Sequence, residues 1–283
     1  MKRYNVALVG LLFATALFAQ TDQSTISESR VQPLAAMGTQ VFPQAIELQG
    51  FEYVVPELII GGEWTTTIKL TNRGRTAIPP TNVLFIDNNG NPLLATFQTS
   101  SGNTVTDSGF SFSLSIGGII EIPFTGTSTV RFGYATVACN ANGCGTPGLY
   151  GEATLRNRNP TRPADFESVF PLEAPATLQY MLFDGRAGFT TVLYLVNSSP
   201  SSQTVTLDVF DNRNNILRTV PIPMGRQTSQ ILSLHGDLAP ETVGIQGTLR
   251  IRSAGPSVFV TVTGLRINPL NSFTPIRAFV PSN

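Results

Sequence analysis

Trp64-Thr65-Thr66-Thr67-Ile68-Lys69-Leu70-Thr71-Asn72 decides the fold, because the chain writes this stretch twice. The second writing is Phe189-Thr190-Thr191-Val192-Leu193-Tyr194-Leu195-Val196-Asn197, 125 residues later. Each begins on an aromatic residue, runs through threonines and aliphatic residues, and ends on asparagine. Threonine and β-branched aliphatics suit a pleated, half-buried surface, so both stretches read as strands. Farther along, Phe85-Ile86-Asp87-Asn88-Asn89 matches Val209-Phe210-Asp211-Asn212-Arg213 at an offset of 124. A one-residue slip between two aligned strands is the mark of a loop deletion, so the matches belong to one internal repeat. The repeat predicts two domains, residues 51–175 and 176–283, joined near Glu173-Ala174-Pro175-Ala176. Each is long enough to bury its own core.

The rest of the pattern names the architecture. No segment sustains a 3.6-residue period, whereas alternation is frequent. Phe110, Phe112, Leu114 and Ile116 alternate with serines, and Ile120, Ile122 and Phe124 follow at the same spacing. Val205, Leu207 and Val209 do the same in the second copy. Such runs place apolar residues on one face of an antiparallel sheet. Asp87-Asn88-Asn89-Gly90-Asn91-Pro92 and Asp211-Asn212-Arg213-Asn214-Asn215 sit between apolar runs and read as hairpin loops. Short strands separated by turn signals over about 100 residues predict an all-β chain of two tandem immunoglobulin-like or fibronectin-like antiparallel β-sandwiches, with seven or eight strands each.

Met1-Lys2-Arg3 followed by Val6-Ala7-Leu8-Val9-Gly10-Leu11-Leu12-Phe13-Ala14 has the form of a secretory signal peptide, residues 1–19. Cleavage falls after Ala19, with Ala16 as the alternative. The apolar run is short for a membrane span, and no later segment is a transmembrane candidate. Residues 20–50 are polar and weakly patterned, a flexible leader with one short strand near Ala45-Ile46-Glu47-Leu48. The chain carries 18 basic and 18 acidic residues, and loss of Lys2 and Arg3 leaves 16 against 18. A slightly acidic surface argues against nucleic acid as a partner. The expected location is outside the bacterial cytoplasm, secreted or periplasmic.

The two cysteines, Cys139 and Cys144, lie in a loop rich in Asn and Gly between two strand-like runs. In an exported chain the pair reads as a disulfide across a hairpin loop. The second copy has Ser253-Ala254-Gly255-Pro256 there, so the fold does not depend on the bond. Two cysteines are half a zinc site, and the spacing is not C-x-x-C.

Candidate sites are sparse. His235 is the only histidine and reads as a surface-loop residue; no G-x-S-x-G elbow accompanies it. Asp87, Asn89 and Asn91 have the opening spacing of a calcium loop, but Pro92 and Gln98 stand where glycine and glutamate are required, so turn chemistry is the reading. Trp64, the only tryptophan, reads as a core residue like its counterpart Phe189; the competing reading is that Trp64, Tyr134 or Tyr150 stacks on a sugar ring. Asn197-Ser198-Ser199 is formally a glycosylation sequon. No metal cluster, phosphate loop or cofactor motif is expected. The loops singled out for binding are Asn140, Asn142 and Gly143, and Asn88, Asn89 and Asn91.

The repeated aromatic-Thr-Thr strand ending in Asn, the strand ending in Asp before a Gly/Asn turn, and the late Gly247-Thr248-Leu249-Arg250-Ile251 together resemble a secreted bacterial module of tandem immunoglobulin-like sandwiches. The resemblance implies no activity and no functional residues. The resulting expectation is a non-enzymatic structural or adhesive protein of the cell surface, binding protein or polysaccharide through sandwich-end loops or a sheet edge. The alternatives are a carbohydrate-binding module and a surface-fibre subunit.

Overall fold

A computed structural model describes residues 31–33, 52–126, 128–138, 148–158, 166–255, 260–269 and 273–281. The chain divides into two compact units, one built on Ala19–Arg156 together with Val169–Pro175, the other mainly on Ala176–Asn283. The alternation in the sequence becomes strand throughout. In the first unit these are β1 (Val31–Pro33), β2 (Glu52–Ile60), β3 (Trp64–Asn72), β4 (Ile78–Asp87), β5 (Ala95–Gln98), β6 (Thr104–Asp107), β7 (Gly109–Leu114), β8 (Ile119–Thr125), β9 (Arg131–Ala138), β10 (Leu149–Asn157) and β11 (Phe166–Pro171). The second unit has β12 (Leu178–Asp184), β13 (Thr190–Asn197), β14 (Gln203–Asp211), β15 (Ile216–Met224), β16 (Thr228–Ser233), β17 (Gln246–Arg252), β18 (Thr261–Ile267) and β19 (Phe273–Arg277).

Each unit is a pair of sheets. The first has the orders β1-β7-β4-β9-β2 and β11-β10-β3-β8-β5-β6; the second has β12-β17-β14-β15 and β16-β13-β18-β19. With β1 and the β5–β6 hairpin set aside, the units share one topology: β2, β3, β4 and β7 through β11 correspond in order to β12 through β19. The all-β, tandem-sandwich reading therefore holds strand by strand. The count of seven or eight strands per copy holds for the second unit only. The first adds an inserted hairpin whose Phe97 packs among Phe85, Phe110 and Phe124, with ring centroids 5.8–6.0 Å away.

The cores follow from the alternation. In β3 every second residue from Trp64 to Asn72 is buried. Ile68 and Leu70 of one sheet meet Val83 and Phe85 of the other. In the second unit Leu193 and Leu195 meet Val205, Leu207 and Val209. Burying a side chain of this size contributes roughly 1.5–3 kcal/mol, so these faces hold the sheets together.

Four expectations need correction. Ile116 does not continue the β7 alternation; it lies in the following turn and is 62% exposed. The cysteine loop is not a hairpin: β9 and β10, on either side of it, belong to different sheets, as do β17 and β18 around Ser253. Chain proximity of two strands does not make them partners, and only pairing partners reveal the crossover. Phe189 is not a core residue but stands half-buried just before β13. Within the stretch read as a flexible leader, Val31–Pro33 pairs antiparallel with β7, opposite Phe112, Ser111 and Phe110. The signal segment, the Ala45–Leu48 strand, Cys139, Cys144, Asn140, Asn142 and Gly143 lie outside the described residues.

Both units cap one edge alike. The chain after β11 pairs through Glu173 with Val54 of β2, and the chain after β19 pairs through Phe279 with Tyr180 of β12, each by two backbone hydrogen bonds of 2.8–2.9 Å. Among the described residues no helix is long and apolar enough to cross a membrane.

Candidate binding sites at the sandwich ends

The repeated Asp-Asn turns explain their own spacing. Asp87 Oδ1 accepts the backbone N–H of Asn89 at 2.9 Å and of Asn91 at 2.8 Å, and the Asn91 side-chain amide donates to Oδ2 at 3.2 Å. Asp211 accepts from the N–H groups of Arg213 and Asn215, both at 2.8 Å, and from the Asn215 amide at 2.9 Å. The fourth residue of each turn has a left-handed backbone, Gly90 at φ 88° and Asn214 at φ 65°, which glycine and asparagine tolerate best. The carboxylate that would open a calcium loop is therefore engaged with its own turn. The Asp211 carboxyl lies below the ordinary carboxylate range, first because of the Asn215 amide. Of the candidate loop residues, Asn91 closes the turn with its side chain, Asn89 contributes its backbone N–H, and Asn88 is half-buried.

The asparagine ending the repeated strand is a latch. Asn72 Nδ2 donates to the carbonyls of Thr76 and Ser115 at 2.8 and 3.1 Å, and its Oδ1 accepts from Gly74 N–H. Asn197 Nδ2 donates to Ser201 and Gly225 at 2.9 and 2.6 Å, and its Oδ1 accepts from Ser199 N–H and the Gln203 amide. Both ties join the crossover after the strand to the turn ending a strand of the facing sheet. Asn197 is 0% exposed with both amide protons donated, so its sequon offers no acceptor nitrogen in the folded chain.

A further shared position is glycine. Gly133 lies opposite Asp87 and Gly247 opposite Asp211. A Cβ on Gly133 would fall 2.2 Å from the Ile86 carbonyl oxygen, and one on Gly247 would fall 1.9 Å from that of Phe210. No larger residue fits.

The aromatic candidates separate. Trp64 and Tyr134 are buried, at 4% and 0% exposure, so neither offers a face to a sugar; the core reading of Trp64 is the right one. Tyr150 is 46% exposed, with the Arg73 guanidinium 5.2 Å from its ring centroid.

The end of the second sandwich holds chemistry that the sequence did not signal. His235 sits in a π-helical turn, Leu234–Leu238, and is buried rather than on the surface. Its Nδ1 lies 2.7 Å from Thr242 Oγ1, whose own proton goes to the Ala239 carbonyl, so His235 carries its proton on Nδ1. Nδ1 therefore faces a hydroxyl and not the carboxylate of a catalytic triad. Nearby, Asp184 accepts a bidentate pair from Arg186 at 2.9 and 3.0 Å and a further bond from Arg266 at 2.9 Å. Arg266 stacks over Phe189 at 3.8 Å, which is where that aromatic ring is used. The Arg186 side chain beside Asp184 holds its carboxyl at about 2. Burial pushes the His235 imidazole below its usual value. Between β12, β17 and β19 at this end lies a cavity of about 430 Å³. Among the described residues no three His, Cys, Asp or Glu side chains are placed to hold a metal ion.

These shifts fix a pH profile. A histidine whose folded pKa is depressed stabilises fully above its unfolded value of about 6.5, and that contribution is lost as pH falls. Asp184 and Asp211, also depressed, contribute fully above about pH 4 and lose that contribution on further acidification, Asp184 as pH falls through about 2. The urea midpoint of the second sandwich is expected to decline in two stages on acidification, the first beginning near pH 6.5. His235→Asn, which retains an N–H near the Nδ1 position, is expected to remove the first stage alone. A midpoint flat from pH 7 to 5 in the parent chain contradicts this assignment.

Compared with known proteins, the chain matches no protein family, no curated protein and no solved structure.

Proposed function

We propose that this is an exported, non-enzymatic structural or adhesive protein of the cell surface or extracellular space, which binds through loops at the ends of its sandwiches. The observation carrying the reading is the division between what the two copies share and what they do not. Shared side chains, Asn72 and Asn197, Asp87 and Asp211, hold backbone. Unshared polar groups lie on a sheet face, around Asp208, and at a loop end, around Asp184, Arg266 and His235, and it is the loop-end set that borders an open cavity. The lone histidine is buried against the Thr242 hydroxyl of the next turn, which supports a scaffold over a catalyst. The basic-then-apolar start of the chain supports export, and the repeated strand pattern supports kinship with tandem immunoglobulin-like modules.

Loops are favoured over edges. The β12 edge is occupied at Tyr180 by Phe279, and the outermost β15 and β19 carry Pro221, Pro223 and Pro275. Proline cannot donate to a ladder and blunts an edge against strand addition. Strand addition at these three edges is correspondingly disfavoured.

The test is retention of the full chain on insoluble polysaccharides and whole cell envelopes, beside a Tyr150→Ala copy and a reduced, alkylated copy. Retention without release of soluble products is expected. Loss on reduction alone assigns the contact to the Cys139–Cys144 loop. Retention on nothing, or turnover of the retained polymer, overturns the reading.

A further inference from the structure

The cavity at the end of the second sandwich is lined by three uncharged polar side chains, Asn212, Gln246 and Thr248. None of the three makes a side-chain hydrogen bond among the described residues, whereas both amide protons of Asn197 and one of Asn215 in the same unit are donated. Leu182, 61% exposed, and Ile276 supply an apolar wall. The charged pair that reaches the cavity, Asp184 and Arg266, is joined internally at 2.9 Å. Its volume of about 430 Å³ lies in the range of ligand pockets, roughly 300–1,000 Å³.

The internal repeat supplies a control. Opposite Asp87 and Asp211 stand Gly133 and Gly247, so Phe132 and Tyr134 of the first copy hold the register positions of Gln246 and Thr248. Tyr134 is fully buried. The fold therefore accepts large aromatic residues at these positions and does not require polar ones. Asn212 is held in place by the Asp211 turn, whose carboxylate accepts the backbone N–H groups of Arg213 and Asn215 that follow it. Apolar side chains beside carboxamides and a hydroxyl, with the charged pair already joined, match a ligand that has hydroxyls on its edges and C–H groups on its face.

We propose that this cavity binds a neutral saccharide, with Asn212, Gln246 and Thr248 hydrogen-bonding its hydroxyls and Leu182 and Ile276 packing on a ring face. The proposal rests on the binding reading above and gives it a ligand class. It places the sugar on the second sandwich, whereas the aromatic residues that sequence alone suggested belong to the first.

The experiment is saturation-transfer NMR and calorimetry of the full chain with maltotriose, cellotetraose, laminaritetraose, mannotriose and xylotriose, with polygalacturonate and an acidic peptide beside them. Saturable binding of at least one neutral oligosaccharide is expected. Asn212→Ala or Gln246→Ala is expected to weaken it by about tenfold, the loss of one or two well-formed hydrogen bonds. The double variant Gln246→Phe/Thr248→Tyr, which installs the first copy's residues, is expected to abolish it with the circular dichroism unchanged. Tyr150→Ala is expected to leave it intact. Neutral-sugar binding that survives the double variant, or binding only of polygalacturonate or the peptide, overturns the proposal. Envelope retention with no sugar bound overturns it while leaving the adhesive reading standing; no retention and no sugar overturns both.

Discussion

Asn197→Ala is expected to lower the stability of the second sandwich by about 3–5 kcal/mol. The substitution removes a partner from the Ser201 carbonyl, the Ser199 N–H and the Gln203 amide, and leaves the Gly225 carbonyl with the Thr228 hydroxyl. A buried polar group left without its partner costs roughly 1–3 kcal/mol, and part of this is recovered where the crossover reaches water. For a unit of this length the shift in melting temperature is about 12 °C or more. Asn197→Asp separates hydrogen bonding from shape. It fills the same volume but removes both donors and faces two carbonyls with a carboxylate, so it is expected to be at least as damaging as alanine. Asn72→Ala is expected to act in the same way on the first sandwich, through Thr76 and Ser115. Calorimetry or urea unfolding checks all three. A loss under about 1 kcal/mol for Asn197→Ala would show that the latch is incidental.

That asparagine also shows how far the sequence could be read. Its recurrence at 125 residues, on the same strand pattern, located the two copies and their β character. Alternation alone placed Ile68, Leu70, Val205 and Leu207 inward, because burial on one face of a strand leaves a local period of two. Sheet membership was not legible in the same way. The strands beside Cys139 and Ser253 look like hairpin arms in sequence, and only their partners, β4 with β9 and β14 with β17, put them in separate sheets. The purpose of the Asp-Asn turns could be anticipated from turn chemistry, whereas the candidate cavity could not. Gln246, Thr248, Leu182 and Ile276 come from three strands with no shared spacing. His235 was misjudged for a related reason: a polar residue in a short loop reads as exposed, and its burial depends on Thr242 and Phe183 meeting it from other segments.

Asp208→Ala is expected to destabilise the second sandwich by about 3 kcal/mol, and a compensating pair of changes should restore what it removes. Asp208 lies on the face of β14 turned away from the core, with a side chain only 3% exposed. Its Oδ2 accepts from Arg250 and Arg252 at 2.9–3.0 Å and its Oδ1 from the Thr219 hydroxyl at 2.8 Å. Burial alone would raise its pKa; the bonds from Thr219, Arg250 and Arg252 outweigh that and hold the carboxyl below its ordinary range. Removing one partner of a buried ion pair typically costs about 3–5 kcal/mol. Here the arginines are 33% and 45% exposed and can rehydrate, which places the loss at the lower end. The first copy solves the same position differently. Register puts Leu84 opposite Thr136 where the second copy has Asp208 opposite Arg250. Exchanging a buried ion pair for a packed apolar group is often neutral or stabilising. Asp208→Leu combined with Arg250→Thr is therefore expected to lie within about 1 kcal/mol of the parent, although Asp208→Leu alone leaves Arg250 and Arg252 without their carboxylate. The coupling energy from the full double-mutant cycle measures this directly. If the double variant is as unstable as the sum of its singles, the ion pair is not what the aspartate contributes, and the Thr219 hydroxyl bond becomes the group to test with Thr219→Val.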